Sequence, residues 1–290
     1  MKKLIFKLLR FSGLPLVFRE LLQKNKITIL LFHDISGKTA EQTFSYLRKK
    51  YNIIDLNDFV DSYYKKEKKA FPAKSLIITF DDGHIRNYEI LPIIKKHNIP
   101  VTIFLCASII NTKRHYWFKY KDREIITSEL KYKSNEERLK ILSKHGFLQE
   151  NEFENAQALT LSQINEMKKF VNFQAHTAFH PILPKCDDDE ARIEIVDSKK
   201  TLENYGLHIN TIAYPNGDYS SRDIELSKEA GYKCGITVDF GFNTLDSDIF
   251  KLKRLSVNDT EDINELIVKA SGVWAFLKTR NGKKQSFGYK

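Results

Sequence analysis

Long apolar runs are missing from this 290-residue sequence. None approaches the roughly twenty residues that a membrane-spanning helix needs, so no span is expected. Cysteine is scarce: Cys106, Cys186 and Cys234 stand far apart without metal-type spacing. An odd, sparse set points to a reducing compartment and not to a disulfide framework. The first residues do not read as a secretory leader, because Lys7 and Arg10 interrupt its apolar region. Neither a small-residue cleavage site nor a lipid-accepting cysteine follows, and a cytoplasmic location is expected. The body of the chain also lacks a basic excess. Net charge is +10, yet residues 1–26 hold seven Lys or Arg against one Glu, and residues 276–290 hold five without an acid. The ends account for the whole surplus, whereas a nucleic-acid cleft would need it in the fold; no nucleic-acid partner is expected.

Apolar residues make up 42% of the chain, enough for one large core, and strand-like and helix-like stretches alternate. Ile27–Phe32, Ser75–Phe80 and 100–105 read as strands, as do 211–214 and 234–238; 41–50, 56–66, 86–97, 221–230 and 261–275 read as helices, with Pro92 as a kink. Such alternation predicts an α/β fold with a parallel sheet, closed or nearly closed, and its site at the strand C-terminal ends. The domain is expected over 27–275, with an aromatic and charged insertion at 108–160. Tyr116 and Trp117 in that insertion either stack on a ligand or anchor it to the barrel. Residues 1–26 form a basic amphipathic extension, and 276–290 a basic tail. The extension suits an anionic membrane surface, placing the protein peripherally at the inner membrane face; it equally suits packing against the domain.

Two stretches carry chemistry. Ser75 to Phe80 is an apolar strand that ends in Asp81-Asp82-Gly83. Adjacent carboxylates at a strand end repel and lose solvation, so one takes a proton or a metal ion unless water reaches both. An acidic turn would have the same pattern. Further on, His176-Thr177-Ala178-Phe179-His180 sets two imidazoles four apart, which on one face of a helical turn could share a divalent ion. With an aspartate they make a His, His, Asp set that leaves a coordination position open. His84, directly after Gly83, either touches the rim of the site or, the favoured reading, is a solvent-facing residue at a helix N-terminus.

At these residues the chain resembles the polysaccharide deacetylases of carbohydrate esterase family four, relatives of chitin, peptidoglycan and poly-N-acetylglucosamine deacetylases. Thr79-Phe80-Asp81-Asp82-Gly83 matches the first motif, His176 to His180 the second, and Ala213-Tyr214-Pro215-Asn216-Gly217 loosely the third. The resemblance, from about Ile27 to Val257, implies a distorted, incompletely closed (β/α)7-type barrel with a helical insertion and an N-terminal helical extension. It implies a hydrolase removing acetyl groups from N-acetylated sugars of a polysaccharide or its precursor. Asp81 would be the base; Asp82, His176 and His180 would bind a divalent metal, zinc first, with nickel or cobalt accepted by the same donors. Tyr214, Pro215 and Asn216 would lie at the substrate and oxyanion.

Three departures shape the reading. Ala213 stands where the family has the arginine that pairs with the base, and Arg254, near the strand expected to close the sheet, is the candidate replacement. Asn216 replaces a tyrosine, harmless if only its backbone N–H is used. The late Leu-x-x-His motif, source of the general acid, is missing, but Leu30-Leu31-Phe32-His33 has that spacing. First and last strands adjoin in a closed barrel, and the poly-N-acetylglucosamine branch is similar in using an early histidine. His33 is therefore the expected acid. An O-acetyl esterase of the same fold and a non-catalytic carbohydrate-binding relative remain the alternatives.

Overall fold

In the computed structural model, which describes residues 1–65 and 71–280, the longest apolar runs are parallel strands buried along their whole length. Strands covered on both faces need such continuous apolar sequence. The chain starts with α1 (Lys2–Phe11), α2 (Leu14–Val17) and a π-helical turn at Phe18–Leu22. β1 (Ile27–Phe32), α3 (Gly37–Lys50), the short β2 (Asn52–Ile53), α4 (Leu56–Tyr64) and β3 (Ser75–Phe80) follow. A 3-10 turn at Ile85–Ile90 leads into α5 (Leu91–His97). Pro92 lies in the first turn of α5, where a missing N–H leaves no bond unmade, so it starts a helix instead of kinking one. β4 (Val101–Leu105) precedes the stretch that carries a 3-10 turn at Trp117–Lys119, α6 (Thr127–Leu130) and α7 (Asn135–Lys144).

The second half runs α8 (Leu161–Met167), β5 (Val171–Ala175), α9 (Asp188–Asn204), β6 (Thr211–Ala213), α10 (Ser221–Glu229), β7 (Cys234–Ile236), β8 (Leu255–Ser256), α11 (Ile263–Ala270) and α12 (Val273–Arg280). Reciprocal capping boxes start α8, α9 and α10, pairing Thr160 with Gln163, Asp187 with Glu190 and Ser220 with Asp223. The single C-terminal helix expected over 261–275 is two, broken where Gly272 takes φ +86°. The expected tail from 276 is helical up to residue 280; residues 281–290, like residue 66 at the end of the helix expected over 56–66, lie outside the described residues. Among the described residues no helix is long and apolar enough to cross a membrane.

The strands lie in the order β7-β6-β5-β4-β3-β1-β8, with β2 paired to the start of β3. Every ladder is parallel. β1 runs beside β3 for its full length, from Ile27 opposite Ser75 to Phe32 opposite Phe80, and the rings of Phe32 and Phe80 stack at 5.2 Å. The stretch ending in β8 joins the two edges: Leu252 bridges to Ile236 of β7, and Leu255 and Ser256 pair with Leu30 and Leu31 of β1. On the β7 side closure is an isolated bridge with a few backbone hydrogen bonds, Leu252 N–H to Gly235 O and Thr237 N–H to Leu252 O among them, and not a named ladder, so the barrel is distorted and incompletely closed. All strand C-termini face the same end, which gathers His33, Asp81, Asp82 and His176 around one hollow, with Arg254 reaching in from just before β8.

Candidate functional site

At the floor of that hollow β3 delivers Asp81 and Asp82, and β5 delivers His176, with His180 four residues on. One donor atom from each of Asp82, His176 and His180 lies within 4.8 Å of the others, and all three residues are buried. Asp82 Oδ1 is 3.4 Å from His176 Nε2 and 3.3 Å from His180 Nε2. Those gaps are too long for good hydrogen bonds, and Asp82 Oδ1 and both ring nitrogens of His180 have no hydrogen-bond partner. Buried donors and acceptors seldom stay unpaired, and a carboxylate with two imidazoles converging on one point is the donor set of a divalent cation. The residues fit such an ion.

The two histidines do not share a helical turn, as the four-residue spacing suggested. His176 continues the line of β5, and the chain then bends through Thr177 and His180, both left-handed at φ +64° and +60°. Glu194 on α9 braces the bend, accepting hydrogen bonds from the N–H groups of Ala178 and Phe179 at 2.8 Å each, while burial pushes its pKa up to about 7. His176 Nδ1 is 2.7 Å from the carbonyl of Ala213, which accepts a hydrogen bond from the Nδ1–H and so turns Nε2 towards Asp82. Burial first, then His176, holds His180 down to about 3 against the pull of Asp82, so its ring is neutral, the form that ligates.

Asp81 is held from the closing stretch. Arg254, fully buried, reaches its two oxygens at 2.7 and 2.8 Å and also donates to Thr237 O. Burial opposes the charge on Asp81, but the Arg254 guanidinium outweighs it and keeps the carboxyl below its usual range. Arg254 thus stands where Ala213 left a gap. His33, at the end of β1, meets Asp259: its N–H donates to Oδ1 at 2.7 Å, and its Nδ1 lies 3.5 Å from Oδ2. Burial works against a charge on His33, but Asp259, with Asp82 and Asp81 behind it, pushes its pKa up to about 9.

Beside them lies the turn after β6. Tyr214 does not reach the hollow: its ring is fully buried against Tyr219, its hydroxyl points at Phe250 O, and its N–H donates to Ile236 O. Its expected place at the substrate is corrected, because a side chain standing between β6 and β7 packs outward into the core. Pro215 has no N–H, and the Gly217 N–H is taken by Tyr214 O, which leaves the Asn216 N–H as the turn's uncommitted backbone donor among the described hydrogen bonds. Gly217 is needed there: at φ +72° a Cβ would fall 2.2 Å from Val238 Cγ2.

The 108–160 stretch contributes what the sequence reading did not assign. Four consecutive residues touch the site. Tyr116 donates its hydroxyl to Asp82 O at 2.8 Å, and Trp117 its indole N–H to His180 O at 2.8 Å. The Phe118 ring lies 4.6 Å from that of His180, and Lys119 donates to His84 Nδ1 at 3.0 Å. His84 in turn puts Nε2 3.0 Å from Asp82 Oδ2. His84 is buried and not solvent-facing, because the residue after Gly83 turns back under this stretch; Tyr116 and Trp117 anchor it and offer no stacking face. Lys131 donates to Asn216 Oδ1 at 2.9 Å. Half-buried His33, Asp259, Lys119, Lys131 and Asn216 thus rim a buried floor. Of the missed residues, Asp259 alone had a signal, as an acid just past the short strand that pairs with β1.

Comparison with known proteins agrees with this geometry. The family model described as polysaccharide deacetylase matches residues 68–235. A Bacillus subtilis (strain 168) protein named for the same family, YxkH, is 24% identical over 243 residues, 80% of this chain and 72% of its own. A Staphylococcus aureus (strain MSSA476) protein named poly-beta-1,6-N-acetyl-D-glucosamine N-deacetylase is 26% identical over 250 residues, 82% of this chain and 71% of its own. Among solved structures, IcaB from Ammonifex degensii superposes with a TM-score of 0.63 at 18% identity, covering 86% of this chain and 98% of that one. The Streptococcus pyogenes deacetylase PplD gives 0.62 at 22%, covering 85% and 99%. These likenesses show a shared fold.

Proposed function

The chain belongs to the polysaccharide deacetylase family, and from that membership we propose a metal-dependent hydrolase that removes acetyl groups from the N-acetylated sugars of a polysaccharide or its precursor. The observation that carries the reading is the convergence of Asp82, His176 and His180, with Asp82 Oδ1 and the His180 ring nitrogens left without a hydrogen-bond partner, beside a second carboxylate. Zinc is the proposed occupant, since the nitrogen and oxygen donors suit it, and nickel or cobalt would also be held. When bound, such a cation supplies Lewis acidity, polarising an acetyl carbonyl and making water more acidic near neutral pH.

The chain's own residues do the rest. Asp81, ionised and fixed by Arg254, takes the proton of the attacking water. The Asn216 N–H, the uncommitted donor of the turn after β6, would hydrogen-bond the carbonyl oxygen as charge builds on it. His33, kept charged by Asp259, gives its proton to the departing nitrogen, and the C–N bond breaks to leave acetate and a free amine. Arg254, bonded to Asp81, and His33, paired with Asp259, would serve in place of the two missing motif residues, which supports the enzymatic reading over the non-catalytic alternative.

The S. aureus relatives are named for poly-β-1,6-N-acetylglucosamine, so oligomers of that polymer are the first substrate to try. Acetate release is expected from the metal-loaded protein, lost with a chelator and restored by zinc. Release from acetylated xylan alone would move the assignment to the O-acetyl esterase, and no release from either by the loaded protein would sink the proposal.

A further inference from the structure

Ten of the seventeen exposed large hydrophobic residues among the described residues fall within the first 22 of the chain. They are not there for want of a docked helix. α1 is fixed to the domain through Phe6, fully buried against Val268, Val273 and Trp274, with its ring 4.7 Å from the indole. Lys2 pairs with Glu265 at 3.1 Å and Arg10 donates to Asn264 at 2.9 Å, so both ends of α1 are tied to α11. The opposite side of α1 is left open. Leu4, Leu8 and Phe11, spaced as one helical stripe, are 60, 65 and 71% exposed, and Leu16 and Leu21 extend the apolar surface at 54 and 70%. Exposed Lys3 and Lys7 flank the stripe. The one acid in the segment, Glu20, is engaged by Arg19 at 2.9 Å and Lys74 at 3.0 Å, so it does not offset the positive charge.

We propose that this face is a membrane-docking surface that lies in the interface of a bilayer containing anionic lipid, with the α1 stripe among the acyl chains and Lys3 and Lys7 among the head groups. A rigid convex helix with an apolar stripe and flanking lysines, whose stems cover apolar surface while their heads reach outward, is the form that sits in the plane of a bilayer. Other occupants fit less well. The chain's own residues 281–290 carry Lys283, Lys284 and Lys290 and no acid, the same sign as the face. A second copy would likewise bring basic flanks together. α11, on which α1 rests, begins at Ile263, four residues after the Asp259 that holds His33. The protein would then work beside a lipid surface.

The test uses the full chain with vesicles of phosphatidylcholine alone or mixed with phosphatidylglycerol. Co-sedimentation with the anionic vesicles is expected, at least tenfold stronger than with the neutral ones and released by salt. A Leu4→Ser, Leu8→Ser, Phe11→Ser variant should lose it, and a Lys3→Glu, Lys7→Glu variant should weaken it by about fivefold per lysine. Both variants should keep the parent melting curve and acetate release from a soluble oligomer, so failure here is separable from failure of the enzymatic reading. Equal binding by the serine variant, or no vesicle binding at all, overturns the proposal. So does self-association by sedimentation velocity that the serine variant abolishes while vesicles capture nothing.

Discussion

Asp82, Thr177 and His180 all hold left-handed backbone, at φ +73°, +64° and +60°. Non-glycine residues take that conformation at a cost of about 1–3 kcal/mol each and keep it only where the surroundings dictate it. Here it aims ligand atoms that an ordinary strand end or helical turn would splay apart. Around them charge sets two expectations. Asp259→Asn should move the alkaline limb of the kcat/KM pH profile down by roughly 1–2 units, since it removes the carboxylate that raises His33. Stability follows the same sign: with a folded pKa of about 9, the contribution of His33 is full below its ordinary value and lost as pH rises through 9, and thermal melts of the variant should lose that dependence. Arg254→Met leaves Asp81 buried without its cation, so the acid limb should move up in pH and the melt should fall, by about 3–5 kcal/mol in stability. His33→Ala should cut amide turnover at least a hundredfold with metal content unchanged; loss of metal would make it a ligand instead. Arg254 could be singled out from the sequence because it stands near the strand expected to close the sheet; its burial and its reach to Asp81 could not. It misplaced Tyr214 because a motif match names a position and says nothing of where the side chain points.

At the scale of elements, alternating strands and helices were legible from apolar runs and caps, since parallel strands and amphipathic helices write different periods. The bend at 176–180 was not. Two histidines four apart fit a helix and a left-handed bend equally, and only packing against Glu194 and Trp117 decides. The 116–119 segment was illegible for the same reason: its partners lie about 35 to 63 residues away in sequence, at carbonyls and a ring nitrogen that no pattern marks. Its contacts orient the ligands indirectly. Lys119→Ala should therefore weaken metal affinity some 10–100-fold by chelator competition, as loss of an outer-shell partner does, with the fold intact by circular dichroism. An unchanged affinity would mean that His84 needs no help in holding Asp82.

Across the whole molecule, core and site are built separately. The strands bury their apolar faces whether or not an ion is bound, so stripping the metal should leave the far-ultraviolet spectrum unchanged and abolish acetate release. The melt should drop by the binding term alone, about 4 kcal/mol for a site loaded at a thousand times its Kd. The hollow draws its chemistry from both ends of the chain, His33 near the start and Arg254 and Asp259 near the finish. It cannot exist until the closing stretch lies beside β1. The 116–119 segment adds a different constraint. The segment that fastens the ligand backbone through Tyr116 and Trp117 also reaches the rim through Lys119, so any drift of this stretch towards a new sugar would be felt first as leakiness for the cation, and adaptation to substrate must be tuned together with ion retention.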